Sequence, residues 1–392
     1  MSPSSLIAQS ASHLGRGFLL LGTSFARRWR KRLLRTLLVA LFIAGGATTA
    51  WSQICLPPLL GDRPRLQDMD KTGVLWLNLL LRQHEVCWRK PEQPGETRIF
   101  AIGNSAIYGF PWPSDLSSIG FVNKSFERQE IPAHLFNLGL MFTYQTKEAM
   151  VLSEALPYKP DFIVYGVTLD DLAHLAPYPY LPVATFFDAN SRTVERLASD
   201  PPPTFEEPFR LYRDTQAESV RPIASWTEFR EMGTFVRLAM EQTAKALRKK
   251  MFPEFREKIP KIRRGSRRYR CRGIIPGFEE KYAGWKEWSM LEYLAELRAE
   301  TGVEVLVVNW PVAHEPRGAC YNARYPTEAF NEYVEWMENK AAELELDYLD
   351  LHDLLVRREF VDSVHPTVKG QRKVARRLEA EIITLLQRSS DQ

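Results

Sequence analysis

The chain has 392 residues, 45% of them hydrophobic and 26% charged, with 52 Lys and Arg against 48 Asp and Glu. That balance excludes a disordered or low-complexity chain, and the length suits two domains or one elaborated domain. The net charge of +4 comes from the amino terminus: basic residues from Arg16 to Arg35 precede the first acidic one, Asp62. Without that tail the chain is slightly acidic, which removes the basic body that nucleic-acid binding needs.

Residues 1–35 read as a basic cytoplasmic tail. An apolar run follows from Thr36 to Trp51 and continues to Leu60, interrupted by Ser52, Gln53, Pro57 and Pro58. Residues 36–60 are long enough for one transmembrane helix, and no second stretch of that length exists for a multi-span transporter. Basic residues before the run keep the amino terminus in the cytoplasm and place the body on the periplasmic or extracellular side. A signal peptide cleaved after Ala50 is the competing reading, and it would give a soluble secreted protein. The four cysteines, Cys55, Cys87, Cys271 and Cys320, form no CxxC pair. A zinc ribbon therefore has no support, while an exported chain can form a disulfide.

Residues 61–96 read as a polar connector with a short amphipathic helix over Thr72–Gln83. From Thr97 the pattern changes. Apolar runs at Arg98–Ile102, Ala133–Leu138, Pro160–Gly166, Glu304–Pro311 and Leu346–Leu351 predict strands. Helical spacing predicts helices over Thr146–Leu156, Glu287–Thr301, Pro326–Leu344 and Thr367–Gln387. This alternation predicts an α/β domain from residues 97–175 and 283–392, with a parallel sheet flanked by helices. Between them, residues 176–282 break the rhythm with Pro177–Pro182, Pro201–Pro203, helical spacing over Trp226–Lys250 and six arginines from Arg263 to Arg272. A structureless loop of that length is improbable, so the segment reads as a mainly helical inserted subdomain. Its basic cluster suits an anionic polymer or lipid head groups.

In parallel sheets, ligands bind beyond the carboxyl ends of the strands. Gly103-Asn104-Ser105 follows the first strand, Asn137-Leu138-Gly139 the second, and Gly166-Val167-Thr168 the third. Asp362-Ser363-Val364-His365-Pro366 precedes the last helix. Serine needs a base to take its proton, and histidine is suited to that near neutral pH. An aspartate three residues before that histidine can hold the imidazole in the productive tautomer. Ser105 is thus the expected nucleophile, His365 the base and Asp362 its partner. The Ser105 and Gly139 N–H groups are expected to stabilise the oxyanion. Asn104, Tyr108, Asn309 and His314 are expected beside the substrate. Trp112, Phe142 and Tyr144 are aromatics that could stack on a sugar, against core packing as the plainer reading. Asp170 and Asp171 are adjacent, a poor arrangement for paired carboxylates, and read as solvated or capping residues. His84, His134, His174 and His352 lack a comparable context, and no cluster suggests a metal.

Together these blocks resemble the SGNH (GDSL-like) hydrolase superfamily. Gly103-Asn104-Ser105 stands for its Gly-Asp-Ser block, Gly139 for its second-block glycine, Gly166-Val167-Thr168 for Gly-x-Asn, and Asp362 to Pro366 for Asp-x-x-His-Pro. The resemblance implies a three-layer flavodoxin-like fold, a Ser-His-Asp acyl-enzyme and no cofactor. It also implies an oxyanion hole from Ser105, Gly139 and the third-block residue. Thr168 stands where the family has asparagine, and Asn104 where it has aspartate. The layout resembles membrane-anchored branches of the DltD-like and alginate-acetylation (AlgJ/AlgX-like) kind. That likeness implies ester hydrolysis or O-acyl transfer, acetyl foremost, on a cell-surface polysaccharide, beside a membrane-bound O-acyltransferase. The alternative is a non-catalytic binding or assembly component of a cell-envelope polymer machine, built on a degenerate hydrolase fold.

Overall fold

The apolar runs become strands because each is short, rich in Val, Ile, Leu and Phe, and stopped by glycine or a polar side chain. In chain order the elements are β1 (Thr97–Gly103), α1 (Ser105–Tyr108), α2 (Ser118–Arg128), β2 (Ala133–Asn137), α3 (Gln145–Ala155) and β3 (Phe162–Val167). Then come α4 (Ser289–Thr301), β4 (Glu304–Asn309), β5 (His314–Glu315), β6 (Cys320–Tyr321), β7 (Tyr325–Pro326), α5 (Thr327–Glu343), β8 (Asp347–Asp350) and α6 (Val368–Ser390). The computed structural model describes residues 96–141, 145–169, 289–315, 319–322 and 325–390. The expected tail, transmembrane helix, connector and inserted subdomain lie outside these residues, as do Phe142, Tyr144, Asp170 and Asp171. Among the described residues no helix is long and apolar enough to cross a membrane.

Five strands form one parallel sheet in the order β2-β1-β3-β4-β8. Strands from both sides of the 176–282 segment thus share one sheet. Alternation along each strand divides the core between its faces. Ile99, Ala101, Leu135, Phe162, Val164, Leu306 and Val308 meet α2 and α6 through Val122, Phe126, Val374, Leu378 and Ile382. Helices α3, α4 and α5 cover the other face. The molecule is the three-layer α/β fold that the strand–helix alternation predicts.

Two parts of the architecture are absent from the sequence prediction. Helix α2 has readable signals: Ser117 caps it by accepting from the Gly120 N–H at 3.1 Å, and Ile119, Val122 and Phe126 recur at helical spacing. The small antiparallel sheet β5-β6-β7 has none, because its strands are two residues each.

Candidate active site

All the residues that the sequence singles out, apart from those outside the described set, fall at the carboxyl end of the sheet or in the segments leaving it. β1 ends in Gly103, whose φ of 148° suits glycine and whose Cβ would stand 2.3 Å from the Gly166 carbonyl oxygen. Asn104 follows in extended conformation, and its Oδ1 accepts the Ala106 N–H at 2.7 Å. That cap starts α1 and puts Ser105 at its first position. Three glycines hold the turn close: a Cβ on Gly103, Gly139 or Gly166 would come within 2.8 Å of the Ile107 side chain. Ile107, two residues after the serine in α1, is buried among them.

Ser105 Oγ lies 2.9 Å from His365 Nε2, and His365 Nδ1 lies 2.7 Å from Asp362 Oδ2. The carboxylate can only accept, so Nδ1 carries the proton and Nε2 is left to accept from the serine hydroxyl. Asp362 Oδ1 accepts the backbone N–H groups of Val364 at 2.9 Å and His365 at 2.7 Å. Burial alone would raise the Asp362 pKa. The hydrogen bond and charge of His365, with those two N–H groups, outweigh it and hold the carboxyl below its ordinary value. The turn itself is fixed from four sides. Val361 N–H donates to the His365 carbonyl at 2.8 Å and Ala313 N–H to the Ser363 carbonyl at 2.8 Å. Arg357 Nη1 donates to the Asp362 carbonyl at 3.1 Å, and Trp112 Nε1 to the Pro366 carbonyl at 2.7 Å. The Phe110 ring meets the His365 ring edge to face at 5.0 Å.

The expected oxyanion donors divide. The Ser105 N–H opens α1, where no intrahelical carbonyl is available to it. The Gly139 N–H donates to Asn137 Oδ1 at 3.0 Å, and its neighbours Leu138 and Leu140 donate to the Ala101 and Gly103 carbonyls. What Gly139 supplies is space, because a Cβ there would stand 2.6 Å from the Tyr108 nitrogen. The Thr168 hydroxyl is buried and accepts Asn104 Nδ2 at 3.0 Å. Asn104 therefore joins the Ser105 turn to the end of β3.

Asn309 is fully buried, with Nδ2 donating to Asp350 Oδ1 at 3.0 Å and Oδ1 accepting from Tyr333 at 3.2 Å. A buried amide with both ends engaged is part of the scaffold. Trp112 is buried and bound to Pro366, so it acts on the histidine turn and not on a sugar face. Tyr108 is half-buried in the last position of α1. His314 stacks on Tyr321 with centroids 4.3 Å apart, and its Nε2 lies 3.4 Å from Thr327 Oγ1.

Sequence reading passes over Asn137, Trp112, Phe110 and Arg357 as supports of the triad. It also passes over a second imidazole, His352. Its Nδ1 lies 2.6 Å from Asp350 Oδ2 and its Nε2 3.0 Å from Asp353 Oδ2. A carboxylate engages each ring nitrogen, so neither faces a hydroxyl that it could deprotonate. Among the described residues, only His365 pairs a carboxylate on one side with a hydroxyl on the other. Among the described residues no group of His, Cys, Asp and Glu could hold a metal ion.

No protein-family model matches the chain, and no curated protein matches it. Several solved structures are similar. A carbohydrate acetylesterase family member from Sinorhizobium meliloti is 14% identical, with 74% of this chain and 99% of that one covered and a TM-score of 0.35. A lipase/acylhydrolase from Enterococcus faecalis is 13% identical, with 73% and 95% covered and a TM-score of 0.36. Axe2, an acetylxylan esterase from Geobacillus stearothermophilus, is 12% identical, with 74% and 96% covered and a TM-score of 0.37. Their activities are their own, and the functional reading of this chain rests on its own side chains.

Proposed function

We propose that this protein is a serine ester hydrolase or O-acyltransferase that works through an acyl-enzyme on Ser105. The observation that carries the reading is the unbroken hydrogen-bonded line from Ser105 Oγ through His365 to Asp362. Ser105 gives its proton to His365 Nε2 as Oγ attacks an ester carbonyl. The negative charge passes to the carbonyl oxygen, which the Ser105 N–H at the start of α1 would stabilise. Collapse breaks the ester C–O bond, and His365 returns the proton to the leaving alkoxide. The acyl group then stays on Oγ until water or a second hydroxyl, deprotonated by the same imidazole, takes it. Asp362 stabilises the imidazolium in both halves.

The finer reading is an exported, membrane-anchored body acting on acetyl groups of a cell-surface polysaccharide, beside a membrane-bound O-acyltransferase. The apolar run at 36–60 after a basic tail supports the anchor, and the block pattern supports the acyl chemistry. Cys320 is disulfide-bonded, and disulfides persist in oxidising compartments, which supports export. The other three cysteines lie outside the described residues.

The test is labelling of the full chain, in native membranes or detergent, with a fluorophosphonate, and mapping of the adduct by mass spectrometry. The expected result is an adduct on Ser105 that disappears in Ser105→Ala and His365→Ala. A folded chain that takes up no label at Ser105 would overturn the reading. Release of acetate from acetylated polymers, with and without a polysaccharide acceptor, separates hydrolysis from transfer.

A further inference from the structure

The His352 network reaches the triad through a continuous set of contacts. Asp353, which holds His352 Nε2 through Oδ2, accepts the Tyr321 hydroxyl on Oδ1 at 2.8 Å. Tyr321 belongs to β6 and is packed between the rings of His314 at 4.3 Å and Phe330 at 4.2 Å. The next residue, Asn322, donates its N–H to the Ala313 carbonyl at 2.9 Å. Ala313 in turn donates to the Ser363 carbonyl, inside the turn between Asp362 and His365. On the other side, Asp350 is held by Asn309 Nδ2 at 3.0 Å and by the His352 N–H at 3.0 Å. Asp353 thus holds Tyr321 on β6, the middle strand of β5-β6-β7, and Ala313, just before β5, bonds to the turn that carries Asp362 and His365.

We propose that His352 is a positioning residue for the ester chemistry: as an imidazolium between Asp350 and Asp353 it fixes Tyr321, and through β6 and Ala313 it seats the turn that carries Asp362 and His365. The proposal rests on the esterase reading for its effect on rate, but its structural effect stands apart from it. A neutral imidazole has one donor and one acceptor nitrogen, so it would turn a lone pair towards one of the two carboxylates. The charged groups acting on His352 are Asp350, at the end of β8, and Asp353, on the loop that follows. From β6 it is faced by Tyr321 at 6.0 Å and from α5 by Phe330 at 6.1 Å between ring centroids. Both faces are neutral, since the Tyr321 hydroxyl is pushed well above its ordinary pKa by burial and by its bond to Asp353. Burial alone would lower the His352 pKa; the bonds and charges of the two aspartates outweigh it and raise it above 6.5. The clamp is therefore complete below about pH 6.5 and is lost as pH rises through the folded value.

The consequence is a pH dependence carried by the clamp: the turn loosens as His352 loses its proton. The experiment compares wild type with His352→Gln and Tyr321→Phe, the latter removing only the hydroxyl that Asp353 accepts. Two readouts are taken: kcat and KM on a small aryl acetate across pH, and amide hydrogen exchange of segments 310–322 and 361–366. In His352→Gln, kcat is expected to fall about 10- to 100-fold at mildly acid pH with KM little changed, and the alkaline decline should disappear. Tyr321→Phe should move the same way by less, and should keep the fold if the glutamine variant does not. Exchange in 361–366 should be faster in both variants at about pH 6 and should match wild type more closely at about pH 9. Equal pH profiles and equal exchange in wild type and variants would overturn the proposal. A wild type inert to the fluorophosphonate whose 361–366 amides still follow His352 would sink the esterase reading and leave this one standing.

Discussion

Replacing Asp362 by asparagine is the most informative single change. Oδ1 accepts two backbone N–H groups, and Oδ2 accepts His365 Nδ1–H. The amide oxygen would stay with the two N–H donors, since turning it around would set NH2 against them. The amide NH2 would then face Nδ1, which must become an acceptor. The ring proton moves to Nε2, where it points at Ser105 Oγ and blocks proton removal. The wrong tautomer of this kind costs about 10⁴ in turnover in a serine triad, which at about 1.36 kcal/mol per decade is roughly 5.4 kcal/mol of barrier. The turn keeps its backbone bonds, so stability should change by no more than about 1–3 kcal/mol. The assay pairs aryl acetate turnover and the fluorophosphonate labelling rate with a urea melt of the same sample. A variant that labels within tenfold of wild type would refute the claim that Asp362 sets the tautomer.

Gly166→Ala places a Cβ 2.1 Å from Ile107 Cδ1, and should cost about 1–3 kcal/mol in urea unfolding. Adding Ile107→Val, which removes that methyl, should recover part of the loss; strictly additive effects would argue against the shared slot. Asn104→Ala removes the cap of α1 and the donor to Thr168, so it should cost about 1 kcal/mol and slow labelling of Ser105. Glu359 is buried beside Lys373 at 2.8 Å and Lys369 at 3.6 Å. Burial would raise its pKa, but the Lys373 bond, the Val356 N–H and both lysine charges outweigh that and hold it below 4.5. Its stabilisation is thus present above about pH 4.5 and is lost as pH falls through the folded value. Glu359→Gln should flatten the acid limb of a stability–pH curve, and an unchanged limb would count against the pairing.

Strands and the long helices were legible because each writes its burial into a local period, two residues for strands and about 3.6 for helices. Thus Pro160–Gly166 and Thr367–Gln387 read correctly to within a few residues. Ser105 and the Asp362–His365 pair were legible for another reason: chemistry limits which residue types can act, and strand ends limit where. The fate of the remaining polar residues was not legible. Gly139 and Asn137 differ by two positions, yet only the folded loop shows that the Asn137 side chain takes the Gly139 N–H. Asn309 looked like a cleft residue because it lies at the carboxyl end of its strand, and became scaffold because Asp350 and Tyr333 arrive from elsewhere in the chain. His352 bonds its sequence neighbours Asp350 and Asp353, but the Tyr321 and Phe330 rings that pack against it come from elsewhere in the chain.

The sequence by itself determined the sheet and the layers and singled out Ser105, His365 and Asp362 as candidates, because hydrophobic period and side-chain chemistry are local properties. Only the tertiary structure decided that Ser105 and His365, 260 residues apart, meet at 2.9 Å. It alone also decided which donors are already engaged and which rings pack around His352. Those outcomes depend on which hydrogen-bonding groups become neighbours when the sheet closes, and no local pattern records that.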